Sequence, residues 1–218
     1  MTSPRRTRMK FCGMTSADDV ALAVAAGADA VGVIVAASAR RVPLDRVAAI
    51  AAAIPPFVSR IGVLANQGSE EASLLRRLGF TLQFSGDEAP AECEALSGGE
   101  PYVKVFHIED GAPFDVARCA AYPGATPMFD TRVAGSAGGT GLAFDWRLIE
   151  TAVRLQPSIV SGGLTPENVA ACVRALRPYA VDVRSGIESE GRKDAGRMAA
   201  FATAVTAADA DPGLAPAS

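Results

Sequence analysis

The chain has 218 residues, 49% of them hydrophobic and 21% charged, with a formal net charge of −3. That length suits one large domain, and that apolar content builds a packed core, which excludes an intrinsically disordered chain. Lysine and arginine are scattered and no stretch approaches the ~18 apolar residues of a membrane span, so neither nucleic acid nor a bilayer is an expected partner.

Residues 1–8, with the basic run Pro4 to Arg8, read as a solvated tail. The helix that follows soon after carries Asp18 and Asp19, which spoils a signal-peptide pattern, and a cytoplasmic location is expected. Lys10 to Cys12 ends a short strand, Gly13 to Thr15 makes a turn, and Ser16 caps an amphipathic helix reaching Ala26. The same unit then repeats. Strand patterns at 29–36, 59–65, 80–85, 101–108, 126–131, 158–163 and 180–186 alternate with helical patterns at 43–53, 70–78, 89–96, 114–121, 146–155, 166–176 and 194–207. Strands such as "VGVIV" are almost continuously apolar, as parallel strands covered on both faces are. Eight strands and eight helices in alternation predict a single-domain α/β fold, a (β/α)8 TIM barrel over residues 9–207, with 208–218 as a flexible tail.

Chemistry in such a barrel belongs at the carboxyl ends of the strands. Those positions hold Cys12, Ser38 with Arg40, Asn66, Ser85 to Asp87, His107, Asp130, Gly162 with Gly163, and Asp182 with Ser185 and Gly186. The turns "SGGLTPEN" and "RSGIES" close strands seven and eight, where exposed backbone N–H groups make an anion cradle, so phosphate is the expected ligand there. Asp130 ends an apolar strand, and partial desolvation favours its protonated form, as a general acid requires. Cys12 is a base candidate once ionised. With one histidine, His107, and four cysteines lacking ligand spacing, a zinc site or a Cys/His nucleophile pair is not expected. Arg40 has the fork to bind a carboxylate. The loop Arg132 to Gly141 is long and glycine-rich and reads as a lid. Together these point to proton shuffling on a phosphosugar by Cys12 and Asp130, with neither metal nor redox cofactor.

The motifs "KFCGMT", "LQFSGDE", "FDT…GGTGLAFDW", "SGGLTPENV" and "VDVRSGIE", in this order over residues 9 to 206, resemble the phosphoribosylanthranilate isomerase family of tryptophan biosynthesis. The resemblance implies an Amadori rearrangement of N-(5-phosphoribosyl)anthranilate to 1-(2-carboxyphenylamino)-1-deoxyribulose 5-phosphate. It further implies Asp130 as the acid that opens the furanose ring, Cys12 as the base at C2, Arg40 beside the anthranilate part, and Asp182 near the sugar. Gly162, Gly163, Ser185 and Gly186 then lie in the phosphate turns, and the enzyme is a monomer or a homodimer. Three departures stand out. Ser85 replaces a histidine usual after strand four, Val35 to Ser38 replace a larger aromatic and basic wall, and Arg184 replaces a small residue. A diverged paralogue acting on a related phosphoribosyl amine, or a barrel that binds a phosphate ligand without turnover, stays open at this level. A bifunctional isomerase of the same scaffold would place Asp where Cys12 stands.

Overall fold

A computed structural model describes residues 6–108, 111, 113–131 and 145–211. Eight parallel strands close into a barrel in chain order: β1 (Arg8–Cys12), β2 (Ala30–Ile34), β3 (Ser59–Leu64), β4 (Thr81–Phe84), β5 (Tyr102–Ile108), β6 (Ala125–Thr131), β7 (Ile159–Val160) and β8 (Ala180–Val183). The last strand returns to the first, with Lys10 level with Asp182. Around them run α1 (Ala17–Ala25), α2 (Leu44–Ala53), α3 (Ser69–Arg77), α4 (Pro90–Ser97), α5 (Ala117–Ala120), α6 (Glu150–Leu155), α7 (Val169–Leu176) and α8 (Ala195–Asp209). The barrel expected from the alternation of patterns is the fold.

Local chemistry explains the element ends. The Ser16 hydroxyl accepts from the Asp19 amide at 3.1 Å and the Asp194 carboxylate from the Arg197 amide at 2.8 Å, each satisfying a free donor in the first helical turn. Asn168 accepts from the Thr165 amide and donates to the Gly163 carbonyl, so the chain after β7 is held as a bonded turn and α7 starts at Val169 instead of 166. The region expected as a helix over 114–121 forms only the single turn α5, because Phe114 donates its amide to the Leu148 carbonyl and its ring packs on Phe106 and Phe129. Trp146–Ile149 is a 3-10 turn leading into α6.

Ordered structure also reaches past both expected boundaries. Thr7 is buried and bonds Asp209 through its amide and its hydroxyl, Arg6 pairs with Asp29, and α8 runs on to Asp209. The expected lid at 132–141 and the tail beyond 211 lie outside the described residues.

Side chains alternate across each strand. Outward residues such as Phe11, Leu64, Phe84 and Phe129 meet the helices in one continuous core; Phe11 meets Phe201 of α8 edge-on at 5.9 Å. Inward residues fill the barrel with two apolar groups: Val103, Val105, Met128, Ile159 and Ala180, and Cys12, Ile34, Ala36 and Val63. Polar side chains stand between and above them, at the mouth.

Candidate active site

Cys12 closes β1 inside the barrel and is 5% exposed. Room for its sulfur comes from the neighbouring strand. Gly32 pairs with Cys12 in the β1–β2 ladder, and a Cβ at Gly32 would stand 2.6 Å from Sγ. Burial pushes the thiol above its ordinary value, while Lys10, Lys193 and Arg184 draw it down and Asp182 opposes them.

Asp130 stands across the mouth, near the end of β6 and level with His107 of β5. Burial raises its carboxyl, Asp182 raises it further, and His107 and Arg184 act the other way. Gly162, at φ +83°, backs directly onto it: a Cβ there would lie 2.9 Å from Asp130 Oδ1 and 2.3 Å from Thr131 Oγ1. A left-handed backbone and this close approach both require glycine. The acid candidate is thus seated on the turn expected to hold phosphate.

Asp182 lies two residues from the end of its inward row and is 5% exposed. Its carboxylate is fully engaged, with Lys10 Nζ at 2.6 Å on one oxygen and Ser161 Oγ at 3.1 Å on the other. Lys10, which shares the inward face of β1 with Cys12, therefore lies beneath the thiol, where the Asp182 and Cys12 charges hold its ammonium above the usual range against the effect of burial. Asp182 and Arg184 both act on Cys12 and on Asp130, which puts these four groups in one electrostatic neighbourhood.

The turns after β7 and β8 come together closely. A Cβ at Gly186 would lie 2.0 Å from the Leu164 carbonyl oxygen, and Gly163 joins Gly162 at positive φ. Ser185 to Ile187 form a 3-10 turn beside them. Ser85 is half-buried, and its carbonyl bonds His107 Nε2 at 3.0 Å, so that nitrogen carries the proton. Gln83, one inward step below, donates to Ser85 Oγ, while its buried Oε1 has no partner among the described residues.

Arg40, expected beside the anthranilate part, has a carboxylate partner within the chain. Its guanidinium is already forked onto Glu188, with Nε 3.2 Å from Oε1 and Nη2 bonded to Oε2. Glu188 and Lys193 face each other in a small hairpin, β9 (Glu188–Ser189) and β10 (Arg192–Lys193), that the alternating pattern did not reveal. Lys193 Nζ donates to Glu188 at 2.8 Å, to the Cys12 carbonyl at 2.7 Å and to the Arg184 carbonyl at 3.0 Å. Burial opposes ionisation of Glu188, yet the bonds from Lys193 and Arg40 win and its carboxyl titrates below the ordinary range. The signal for this strap was present in "ESEGRK": Glu190 and Gly191 both take positive φ, as a two-residue hairpin loop requires.

Of the "LQFSGDE" group, Glu88 turns away from the mouth into the wall, where it pairs with buried Lys104 at 2.9 Å and accepts from the Asn66 amide. Asp87 is exposed, and its amide donates to Asn66 Oδ1. Among the described residues no cluster of His, Cys, Asp and Glu has the geometry of a metal site.

Residues 9–204 match a family profile described as N-(5'-phosphoribosyl)anthranilate isomerase. A protein of that name from Pseudomonas aeruginosa is 44% identical over 203 residues, covering 91% of this chain and 94% of the relative. The crystal structure of the phosphoribosyl anthranilate isomerase from Thermus thermophilus superposes with a TM-score of 0.81 at 33% identity, covering 92% of this chain and 99% of that one. A structure of such an isomerase in complex with reduced 1-(o-carboxyphenylamino)-1-deoxyribulose 5-phosphate superposes at 0.79, with 30% identity and the same coverage. With the profile spanning almost the whole barrel and the strand-end residues arranged as described, the chain belongs to the N-(5'-phosphoribosyl)anthranilate isomerase family.

Proposed function

We propose that the protein catalyses the Amadori rearrangement of N-(5-phosphoribosyl)anthranilate to 1-(2-carboxyphenylamino)-1-deoxyribulose 5-phosphate, a step of tryptophan biosynthesis. The observation that carries this reading is the placement of Cys12 and Asp130 at the ends of β1 and β6, both under the influence of Asp182 and Arg184. In the reading, Asp130 gives its proton to the furanose ring oxygen, the C1–O bond breaks, and the nitrogen lone pair forms a Schiff base with C1. Cys12 thiolate removes the proton from C2, and the electron pair moves through C1 to nitrogen to give an enolamine. Tautomerisation returns a proton to C1 and leaves a ketone at C2. C1 is reduced as C2 is oxidised, so the substrate supplies its own redox balance and no redox cofactor enters.

Raised carboxyl and raised thiol suit the two roles differently. Asp130 keeps its proton to higher pH than an exposed aspartate would, which is what an acid needs. Cys12 must lose its proton against burial, and the cations Lys10, Lys193 and Arg184 favour that loss. Asp182, with both oxygens engaged, holds Lys10 beneath the thiol and supplies fixed negative charge near the sugar. The turns at Gly162–Gly163 and Ser185–Gly186 receive the phosphate. Each of these residues comes from one chain, so the reading holds for a monomer and for a homodimer alike. Four free thiols accord with a reducing, cytoplasmic setting.

The test is the decay of anthranilate-type fluorescence when the purified protein meets phosphoribosylanthranilate made in situ, beside Cys12→Ser and Asp130→Asn. Fast decay with the parent and almost none with either variant is the expected result. Decay at the spontaneous rate with the parent would refute the assignment. The smaller wall at Val35 to Ser38 and Ser85 would then direct the search to a related phosphoribosyl amine.

A further inference from the structure

The ladder that closes the barrel pairs Lys10 with Asp182 and Phe11 with Val183, and it stops one residue short of Cys12 and Arg184. The next carbonyl on each side of this seam, that of Cys12 and that of Arg184, needs a donor from outside the ladder. One group supplies both. Lys193 Nζ, carried to the seam by the β9–β10 hairpin, donates to the Cys12 carbonyl at 2.7 Å and to the Arg184 carbonyl at 3.0 Å. Its third hydrogen goes to Glu188 Oε1 at 2.8 Å. An ammonium has three donors, so Lys193 is spent on these contacts and has none left for a substrate phosphate.

The consequence falls on a single peptide. Between Cys12 and Gly13 the N–H donates to the Gly32 carbonyl of β2 at 2.9 Å, and the C=O, pointing the opposite way in the peptide plane, meets Lys193. The thiol thus hangs from a peptide held on both edges, by β2 on one side and by the hairpin on the other. Gly13, at φ +78°, turns the chain out of the strand immediately afterwards, so continued pairing with β8 does not do this holding.

The side chains of Lys193 and Glu188 are 3% and 5% exposed. A buried ion pair contributes little net stability over apolar residues of the same volume, so stability alone does not account for this one. Charge gives it a second use. Arg40 is forked onto the same carboxylate, so one anion lies between two cations and the cluster carries surplus positive charge beside Cys12. Beneath the thiol Lys10 is balanced by Asp182, and Arg184 stands at the end of β8. Burial draws the Lys193 ammonium below its ordinary value, while Glu188 and a Cys12 thiolate sustain its charge and Arg40 opposes it.

We propose that Lys193 is a positioning residue for the base of the reaction, clamping the peptide between Cys12 and Gly13 from the β9–β10 hairpin and keeping a positive charge beside the thiolate. The inference rests on the isomerase reading and deepens it. The base at the end of β1 is set by a residue 181 positions away that has no donor to spare for substrate, and the hairpin after β8 becomes part of its machinery.

The test compares the parent with Lys193→Met, Lys193→Arg and the double variant Lys193→Met with Glu188→Gln, in which the carboxylate orphaned by the first change is neutralised. Circular dichroism and melting verify folding, and where Lys193→Met alone fails to fold the double variant carries the comparison. Two readouts are taken: kcat and KM for phosphoribosylanthranilate, and the pH profile of Cys12 alkylation by iodoacetamide, followed by peptide mass spectrometry. Loss of Lys193 should lower kcat by about 10- to 100-fold, up to the scale of a 1 Å misplacement of a reacting group, with KM nearly unchanged. It should also move the alkylation profile to higher pH, because a cation beside the thiolate is gone. The double variant should regain melting temperature but neither kcat nor the profile, whereas Lys193→Arg, which keeps the charge, should regain the profile. Recovery of kcat in the double variant would overturn the proposal and leave Lys193 as the counter-ion of Glu188 alone. A raised KM at unchanged kcat would overturn it in favour of a substrate contact, and an unshifted alkylation profile in a folded variant would overturn it outright. Any of these three results with an active parent refutes this inference alone, whereas an inactive parent refutes the isomerase reading and this inference with it.

Discussion

At the scale of single residues, the proposed acid and base set a definite pH dependence. In the proposed mechanism the reactive state needs a proton on Asp130 and none on Cys12, and burial raises both the carboxyl and the thiol above their ordinary values. The reactive form is one of the two singly protonated states of the pair, and its share of them does not change with pH. kcat/KM should rise as the pair loses its first proton, pass a plateau, and fall as it loses the second. Alkylation of Cys12, followed by peptide mass spectrometry, should accelerate across one of these two limbs, where the thiol loses its proton. An alkylation profile that matches neither limb would remove Cys12 from the role of base. A second residue-level expectation concerns Gly32. Alanine in a strand is ordinarily tolerated better than glycine, but here its methyl would sit 2.6 Å from Cys12 Sγ and 3.2 Å from Cys12 Cα. Gly32→Ala should therefore lower kcat by about 100-fold, the scale of a 1 Å misplacement of a reacting group, and lower the melting temperature as well, as overpacking of a buried position does. Unchanged kcat would mean that the thiol need not stand where Gly32 lets it.

At the scale of elements, the β9–β10 hairpin is the feature that alternation alone does not disclose. Four residues in two short strands give too little hydrophobic period to register, and the functional content lies in a polar pair, Glu188 and Lys193, brought level by the Glu190–Gly191 loop. By contrast the strand ends were legible, because near-continuous apolar runs broken by glycine mark both the strand and the place where its last inward residue stands. Arg40 shows the limit: its location follows from the pattern, but its engagement by Glu188 depends on a residue 148 positions away. The strap also carries a pH signature. Glu188 titrates below its ordinary 4.5 in the folded protein, so its contribution to stability is present above the unfolded value and is lost as pH falls through the folded one. The melting-temperature difference between the parent and Glu188→Gln should hold steady above about pH 5 and shrink toward zero in more acid solution. A difference independent of pH in that range would show that the carboxylate charge is not what holds the hairpin.

At the scale of the whole molecule, closure of the barrel joins the first strand to the last, and the inward rows meet there as a buried ion pair. Lys10 of β1 and Asp182 of β8 are 3% and 5% exposed, 172 residues apart in the chain, and bonded at 2.6 Å. No local pattern announces such a pair: Lys10 in "RMKFC" and Asp182 in "AVDV" each look like an interruption of an apolar strand, and only the closed topology makes them partners. The coulombic gain between two charges in the interior roughly offsets their desolvation, so the pair contributes little net stability compared with apolar residues of equal volume. Removing one member is different, because the other charge is left buried and uncompensated. Asp182→Asn keeps the shape and the bond to Ser161 but withdraws the counter-charge from Lys10, and it should destabilise the fold by about 3–5 kcal/mol in urea unfolding. The double substitution Lys10→Met with Asp182→Leu should recover most of that loss in stability while leaving the enzyme inactive, since both the charge beneath Cys12 and the carboxylate between the proposed acid and base are gone. Equal stability of Asp182→Asn and the parent would mean that Lys10 finds another partner or water in the barrel, and the closing pair would then serve the electrostatics of the mouth alone.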